Sequence, residues 1–281
     1  MKYNNGTFTC DRGTRIYYQS WLPEGDVYGV LLVVHGIAEH SGRYMNVVNH
    51  FVNKGYAVYG YDHPGHGKSE GKRVYIRRFN HFISVLKMYT EMVKAWQPDK
   101  KIFLVGHSMG GLISTVFLID YQDFFTGAVL SGSAVKIPAS ISQGTVLLGK
   151  MLSFLAPGAG LVKLDYDGIC SDPEVVKAYV DDPLVCKGKT TARLAAEMVW
   201  AIEKVGRDSG RIRLPVLIMH GTADKVVDPE SSKMLHDSVS STDKELVLFD
   251  GLMHEIFNEL KKEDVLQKTD HWIQHRLKGI G

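Results

Sequence analysis

A chain of 281 residues, 44% hydrophobic and 23% charged, has an ordinary globular mix and enough length for a large core, which excludes disordered, collagen-like and disulfide-scaffold classes. Lys and Arg number 33 against 31 Asp and Glu, and a surplus of +2 is too small to make nucleic acid the main partner. Cys10, Cys170 and Cys186 form no C-x-x-C pair, no apolar signal core opens the chain and no apolar run reaches about 18 residues; the expectation is a reduced, cytoplasmic protein that spans no bilayer.

In chain order, short apolar runs alternate with helical patterns, which predicts βαβ units around a mostly parallel sheet. Phe8-Thr9-Cys10 and the run 15–21 read as hairpin strands joined through Asp11-Arg12-Gly13. The apolar run 30–34 reads as a strand covered on both faces. Tyr44, Val47, Val48, Phe51 and Val52 then recur at helical spacing, with Gly55 closing the helix. Strands follow at 56–61, 102–105 and 127–130, with a helix over 110–120 before the last of them. The runs 216–219 and 246–249 repeat the strand pattern, and Val265, Leu266, Trp272, Ile273 and Leu277 mark a closing amphipathic helix. From about 134 to 211 the rhythm breaks: the interval lacks a strong buried-strand run and carries Gly, Pro and an apolar stretch over 146–155. It reads as a helical cap or lid inserted into one domain spanning 1–281.

The most informative stretch is Gly106-His107-Ser108-Met109-Gly110, a G-x-S-x-G match with an apolar strand before it and a small-residue helix start after it. That context puts a serine hydroxyl on a strained strand-to-helix turn, beside the amides and positive dipole end of a helix N-terminus. Ser108 is the candidate nucleophile. Acyl transfer also needs two amide donors, one from the residue after the nucleophile, Met109, and one from the loop after an earlier strand, where Ile37 is placed. The order Ser, acid, His then points to Asp224, the first acid after the run 216–219, with Asp228 reading better as a helix-start residue. His254, on the loop leaving 246–249, is the candidate base. His236, His271 and His275 read as solvated helix residues, His107 as a packing residue, and His63-x-x-His66 as a poor metal site without a nearby Glu.

With these pieces in place, the chain resembles the α/β-hydrolase family of monoacylglycerol lipases and lysophospholipases over nearly its whole length. The resemblance rests on residues 35–44, 62–71 and 106–111, and on 179–186, which looks like that family's cap. It implies triad roles for Ser108, Asp224 and His254, oxyanion roles for Ile37 and Met109, and a glycerol-binding polar end lined by Glu39, Arg43 and Tyr179. Several relatives carry a second His three residues after the catalytic one, where this chain has Phe257. The expected function is hydrolysis of monoacylglycerols to fatty acid and glycerol through an acyl-enzyme, without cofactor or metal. A lysophospholipase, carboxylesterase or thioesterase on the same triad is the alternative, and a non-catalytic ligand-binding receptor of the same fold is the reading from another class. The apolar stretch 146–155 suits an acyl chain and would let the lid touch a membrane surface.

Overall fold

The computed structural model describes residues 1–11, 13–138, 141–163 and 165–277. Two antiparallel strands open the chain, β1 (Lys2–Thr9) and β2 (Arg15–Leu22). Strand β1 starts well before the apolar alternation does, because its polar first half is exposed on the sheet edge and is held by backbone pairing to β2 rather than by burial. Cys10 lies just past the end of β1, and Arg12 of the turn lies outside the described residues.

β3 (Gly29–Val34) leads to α1 (Met45–Val52), β4 (Tyr56–Tyr61) to α2 (Asn80–Trp96), and β5 (Ile102–His107) to α3 (Met109–Tyr121) and β6 (Gly127–Ser131). These four strands are buried along their whole length, as their continuous apolar runs require. Helix α2 has no counterpart in the sequence reading. Its Phe82, Val85, Leu86, Tyr89 and Val93 keep helical spacing, but no Ser, Thr, Asp or Asn caps its start. The Phe79 N–H at that start donates instead to Glu197 Oε2 at 2.7 Å, a cap supplied from far along the chain.

Between β6 and the next sheet strand come α4 (Gln143–Leu155), β7 (Gly160–Val162), α5 (Pro173–Asp181), β8 (Thr190–Thr191) and α6 (Ala192–Asp208). The short pair β7–β8 is a separate antiparallel ladder. The sheet resumes with β9 (Val216–Gly221), α7 (Glu230–Ser238), β10 (Lys244–Phe249) and α8 (Lys262–Leu277). The strand order is β1-β2-β4-β3-β5-β6-β9-β10, antiparallel through β4 and parallel beyond it.

The two faces of the sheet are covered by different helices. Val30, Leu32 and Val34 of β3 share a core with α2, α3 and α7, while Leu31 and Val33 pack with α1 and α8. The interval 134–211 is itself divided. Leu194, Ala201 and Val205 of α6 join the α3 core, whereas Leu147, Leu148, Met151, Phe154 and Leu155 of α4 are exposed, Leu155 at 82%. The apolar stretch over 146–155 therefore presents most of its large side chains outward, not toward an internal pocket; only Ser153 of α4 is buried. Among the described residues, no helix is long and apolar enough to cross a membrane.

Candidate active site

In a parallel sheet the loops at the strands' C-terminal ends share one edge, and here the loops after β3, β5, β9 and β10 meet there. Ser108 joins β5 to α3 at φ +56°, ψ −121°, a conformation costly for a non-glycine residue. Its N–H donates to Ser131 O at 3.0 Å, and its own carbonyl accepts from Leu112 and Ala134 N–H, so surrounding backbone holds the strain. Tight packing explains the flanking glycine at 110: a Cβ there would stand 2.0 Å from Val34 O. The start of α3 is thereby pressed against the end of β3, and Met109, as first helical residue, has an N–H with no acceptor one turn back. Across from it the loop after β3 carries a second unusual residue, Ala38 at φ +64°.

Asp224, on the loop after β9, accepts four hydrogen bonds. Its Oδ1 takes the Val226 and Val227 N–H groups at 2.8 and 2.9 Å, and its Oδ2 takes His254 Nδ1 at 2.7 Å and His220 Nε2 at 2.9 Å. Burial pushes its pKa up, but the donors from His220 and His254 outweigh that and hold the carboxyl well below its usual range. Asp228 instead accepts from Glu230 N–H at the start of α7, as its sequence setting suggests. His254 and Ser108 border one small cavity of about 20 Å³, together with Ile37 and Tyr179. The side-chain hydrogen bond of His254 goes to Asp224, and none joins it to Ser108 Oγ among the described residues.

Of the three residues the resemblance assigns to a head group, Glu39 and Tyr179 border this cavity and Arg43 lies behind them. Glu39 Oε1 accepts from Gly36 N–H at 2.6 Å and Tyr44 O–H at 2.8 Å, which braces the loop after β3. Arg43 donates to Glu39 Oε2 at 2.9 Å and, through both terminal nitrogens, to Glu255 at 2.6 and 2.8 Å. Its guanidinium also lies 4.4 Å from the centre of the Tyr179 ring on α5. Burial raises the Glu39 pKa above the ordinary carboxylate value; for Glu255 burial pushes the same way, but the bidentate Arg43 prevails and holds it low. The Tyr179 hydroxyl is buried with no hydrogen-bond partner among the described residues.

Residues 25–261 match the family described as serine aminopeptidase, S33. The chain is 37% identical to the monoacylglycerol lipase of Mycolicibacterium smegmatis, across 94% of this chain and 95% of that one. It is 32% identical to the monoglyceride lipase of Mus musculus, across 96% and 90% of the two chains. The crystal structure of Paleococcus ferrophilus monoacylglycerol lipase superposes with a TM-score of 0.81 at 30% identity, covering 97% of this chain and 98% of that one. The chain belongs to the monoacylglycerol lipase family of α/β-hydrolases. Membership makes it a serine ester hydrolase, with the mostly parallel, helix-flanked sheet expected of it.

Within this family member, two site neighbours escaped the sequence reading, and the place of a third, His107, was only partly read. Glu255 follows His254 directly, but its Arg43 partner lies 212 positions away, so adjacency gives no hint of the pair. His220 is the last residue but one of β9, four positions before Asp224; its Nδ1 pairs with Ser232 Oγ at 2.7 Å while Nε2 serves Asp224. His107 packs as expected, yet it also borders the cavity with its ring 4.6 Å from His254. Burial and the neighbouring His254 push its pKa down to about 3, which keeps it neutral. His236 is half-buried rather than fully solvated. Phe257 lies in the core and borders a second cavity, not the one at Ser108.

His63 and His66 pack with His35 as three buried rings, His35 and His63 only 4.0 Å apart. Among the described residues, the one group with ligand atoms close enough to hold an ion is Cys10, Asp11 and His81, outside this site. There Cys10 Sγ and His81 Nε2 pair at 3.3 Å.

Proposed function

We propose that the protein hydrolyses monoacylglycerols to free fatty acid and glycerol, with Ser108, His254 and Asp224 as its triad. The observation that carries this reading is the 2.7 Å bond from His254 Nδ1 to Asp224, on a histidine that shares its cavity with a serine held at the strained elbow. Asp224 fixes the imidazole with Nε2 as its basic nitrogen. That nitrogen takes the Ser108 proton as Oγ attacks the ester carbonyl, and the Ile37 and Met109 amides receive the developing oxyanion. The C–O bond to glycerol breaks, His254 returns the proton to the leaving alcohol, and water repeats the sequence on the acyl-enzyme. We further propose that the interval 134–211 acts as a cap. Its α5 region is tied to the loop after β3 by His40 Nε2 to Asp182 at 2.8 Å and by Cys186 N–H to Ala38 O at 2.8 Å. The exposed apolar residues of α4 suit transient contact with a micelle or membrane surface, which fits a peripheral enzyme drawing up single-chain lipid.

The test is turnover of monoacylglycerols, lysophospholipids and acyl-thioesters of matched chain length. Monoacylglycerol is expected to be the best substrate, and a better lysophospholipid would transfer the reading to that class. Ser108→Ala lowers kcat by about 10³-fold or more, and Asp224→Asn by nearly as much, because the three residues act as a unit. A fluorophosphonate that fails to label Ser108 would support the receptor reading instead.

A further inference from the structure

The cavity beside Ser108 has a charged wall that ordinary ester hydrolysis does not require. Glu39 and Glu255 both border it, and both also border a second cavity of about 10 Å³ that reaches Phe257 and Asn258. Among the described residues, no Lys or Arg borders either cavity. The cation beside them is Arg43, and its charge is already paired: two bonds to Glu255, one to Glu39, and the Tyr179 ring 4.4 Å from its guanidinium. All three charged side chains are no more than 9% exposed, so water screens them little.

We infer that Glu255, together with Glu39, makes the polar end of this cavity accept uncharged glycerol esters and reject acylglycerols that bear a phosphate. The inference rests on the monoacylglycerol reading above and deepens it. Glu39 Oε1 already accepts from Gly36 and Tyr44, and Glu255 Oε2 from Arg43 and Asn258, while among the described residues Glu39 Oε2 and Glu255 Oε1 each accept only from Arg43, so a glycerol hydroxyl can still donate to either of these two oxygens. A phosphate brings only acceptors and negative charge at neutral pH. It would face two carboxylates in a nearly dry space and find no unpaired cation to form the bidentate contact such groups need. Phe257 adds no donor on that side.

The experiment uses octanoylglycerol and octanoylglycerol phosphate below their micellar concentrations, with the wild-type protein and with Glu255→Gln and Glu255→Asp. Wild type is expected to favour the uncharged ester in kcat/KM by about tenfold or more, Glu255→Gln to shrink that ratio by about tenfold, and Glu255→Asp to keep it. Binding of both lipids to Ser108→Ala, measured by calorimetry, gives the same comparison as a ratio of Kd values and needs no turnover. A wild-type ratio within about threefold, or a ratio unchanged in folded Glu255→Gln, overturns the inference. Should the wild type bind both lipids with the expected ratio but hydrolyse neither, the hydrolase reading fails while this one stands.

Discussion

The loop after β3 lies between two buried polar clusters, and they differ in charge and in reach. On one side His35, His63 and His66 form an uncharged cluster drawn from the ends of β3 and β4 alone. His35 Nε2 accepts from His63 N–H, and His63 Nε2 donates back to His35 O, both at 2.9 Å. On the other side Glu39, Arg43 and Glu255 form a charged cluster that reaches the loop after β10 and, through Tyr179, helix α5. Burying three charges is expensive unless hydrogen bonds satisfy them, so this cluster requires the exact placement of distant segments. The local cluster shapes the loop; the long-range cluster aligns it with the rest of the site.

The strongest way to break this contrast is Arg43→Ala. It strands two buried carboxylates, and the expected loss of stability is about 3–5 kcal/mol in a denaturant titration. A loss below about 1 kcal/mol would mean that the charged cluster aligns nothing.

A milder probe is acid, to which the two clusters respond in different windows. Burial first, and neighbouring histidines next, lower His35 well below 6.5 and His63 to about 3; burial holds His66 at about 4. The unfolded chain takes up protons below pH 6.5 that these folded histidines refuse. Stability should therefore fall from pH 7 to pH 5, by up to about 1.4 kcal/mol per pH unit for each histidine. In the charged cluster Glu255, whose folded value is depressed, keeps its contribution until the pH drops below about 4, where the unfolded carboxylate takes a proton, as does Asp224 outside it; Glu39, raised by burial, runs the other way and loses stability as the pH rises. A melting temperature that is flat between pH 7 and pH 5 would assign the histidine cluster no cost on protonation.

The smallest effect is expected outside both clusters. Leu148→Ser and Leu155→Ser, at positions 66% and 82% exposed, should change stability by less than about 0.5 kcal/mol and leave hydrolysis of monomeric substrate intact. Activity on micelles should drop about threefold. Equal activity on both substrate forms in the variants and the wild type would remove α4 from lipid capture.

These contrasts also mark what the linear order reveals. Continuous apolar runs give β3, β4, β5 and β9, because burial on both faces leaves no choice of residue. The elbow at Ser108 is legible for the same reason: a positive φ and a close helix approach demand small neighbours at fixed offsets. The pairing of Asp224 with His254 is anticipated from chain order and strand ends. The exposed edge β1 hides because backbone pairing needs no apolar pattern, and α2 because its cap comes from Glu197. Glu255 and His220 hide because their roles consist of contacts made only on folding. The outward face of α4 could not be read either, since a uniformly apolar stretch does not say which side it buries.

About 20 Å³ of free space beside Ser108 is far less than the several hundred that lipid-sized ligands occupy. A lipid ester seated at Ser108 therefore needs more room than this cavity holds, and the cost of widening it lowers the ester's apparent affinity. Compact acylating reagents will time the chemistry of the serine, whereas long-chain ones will time the widening.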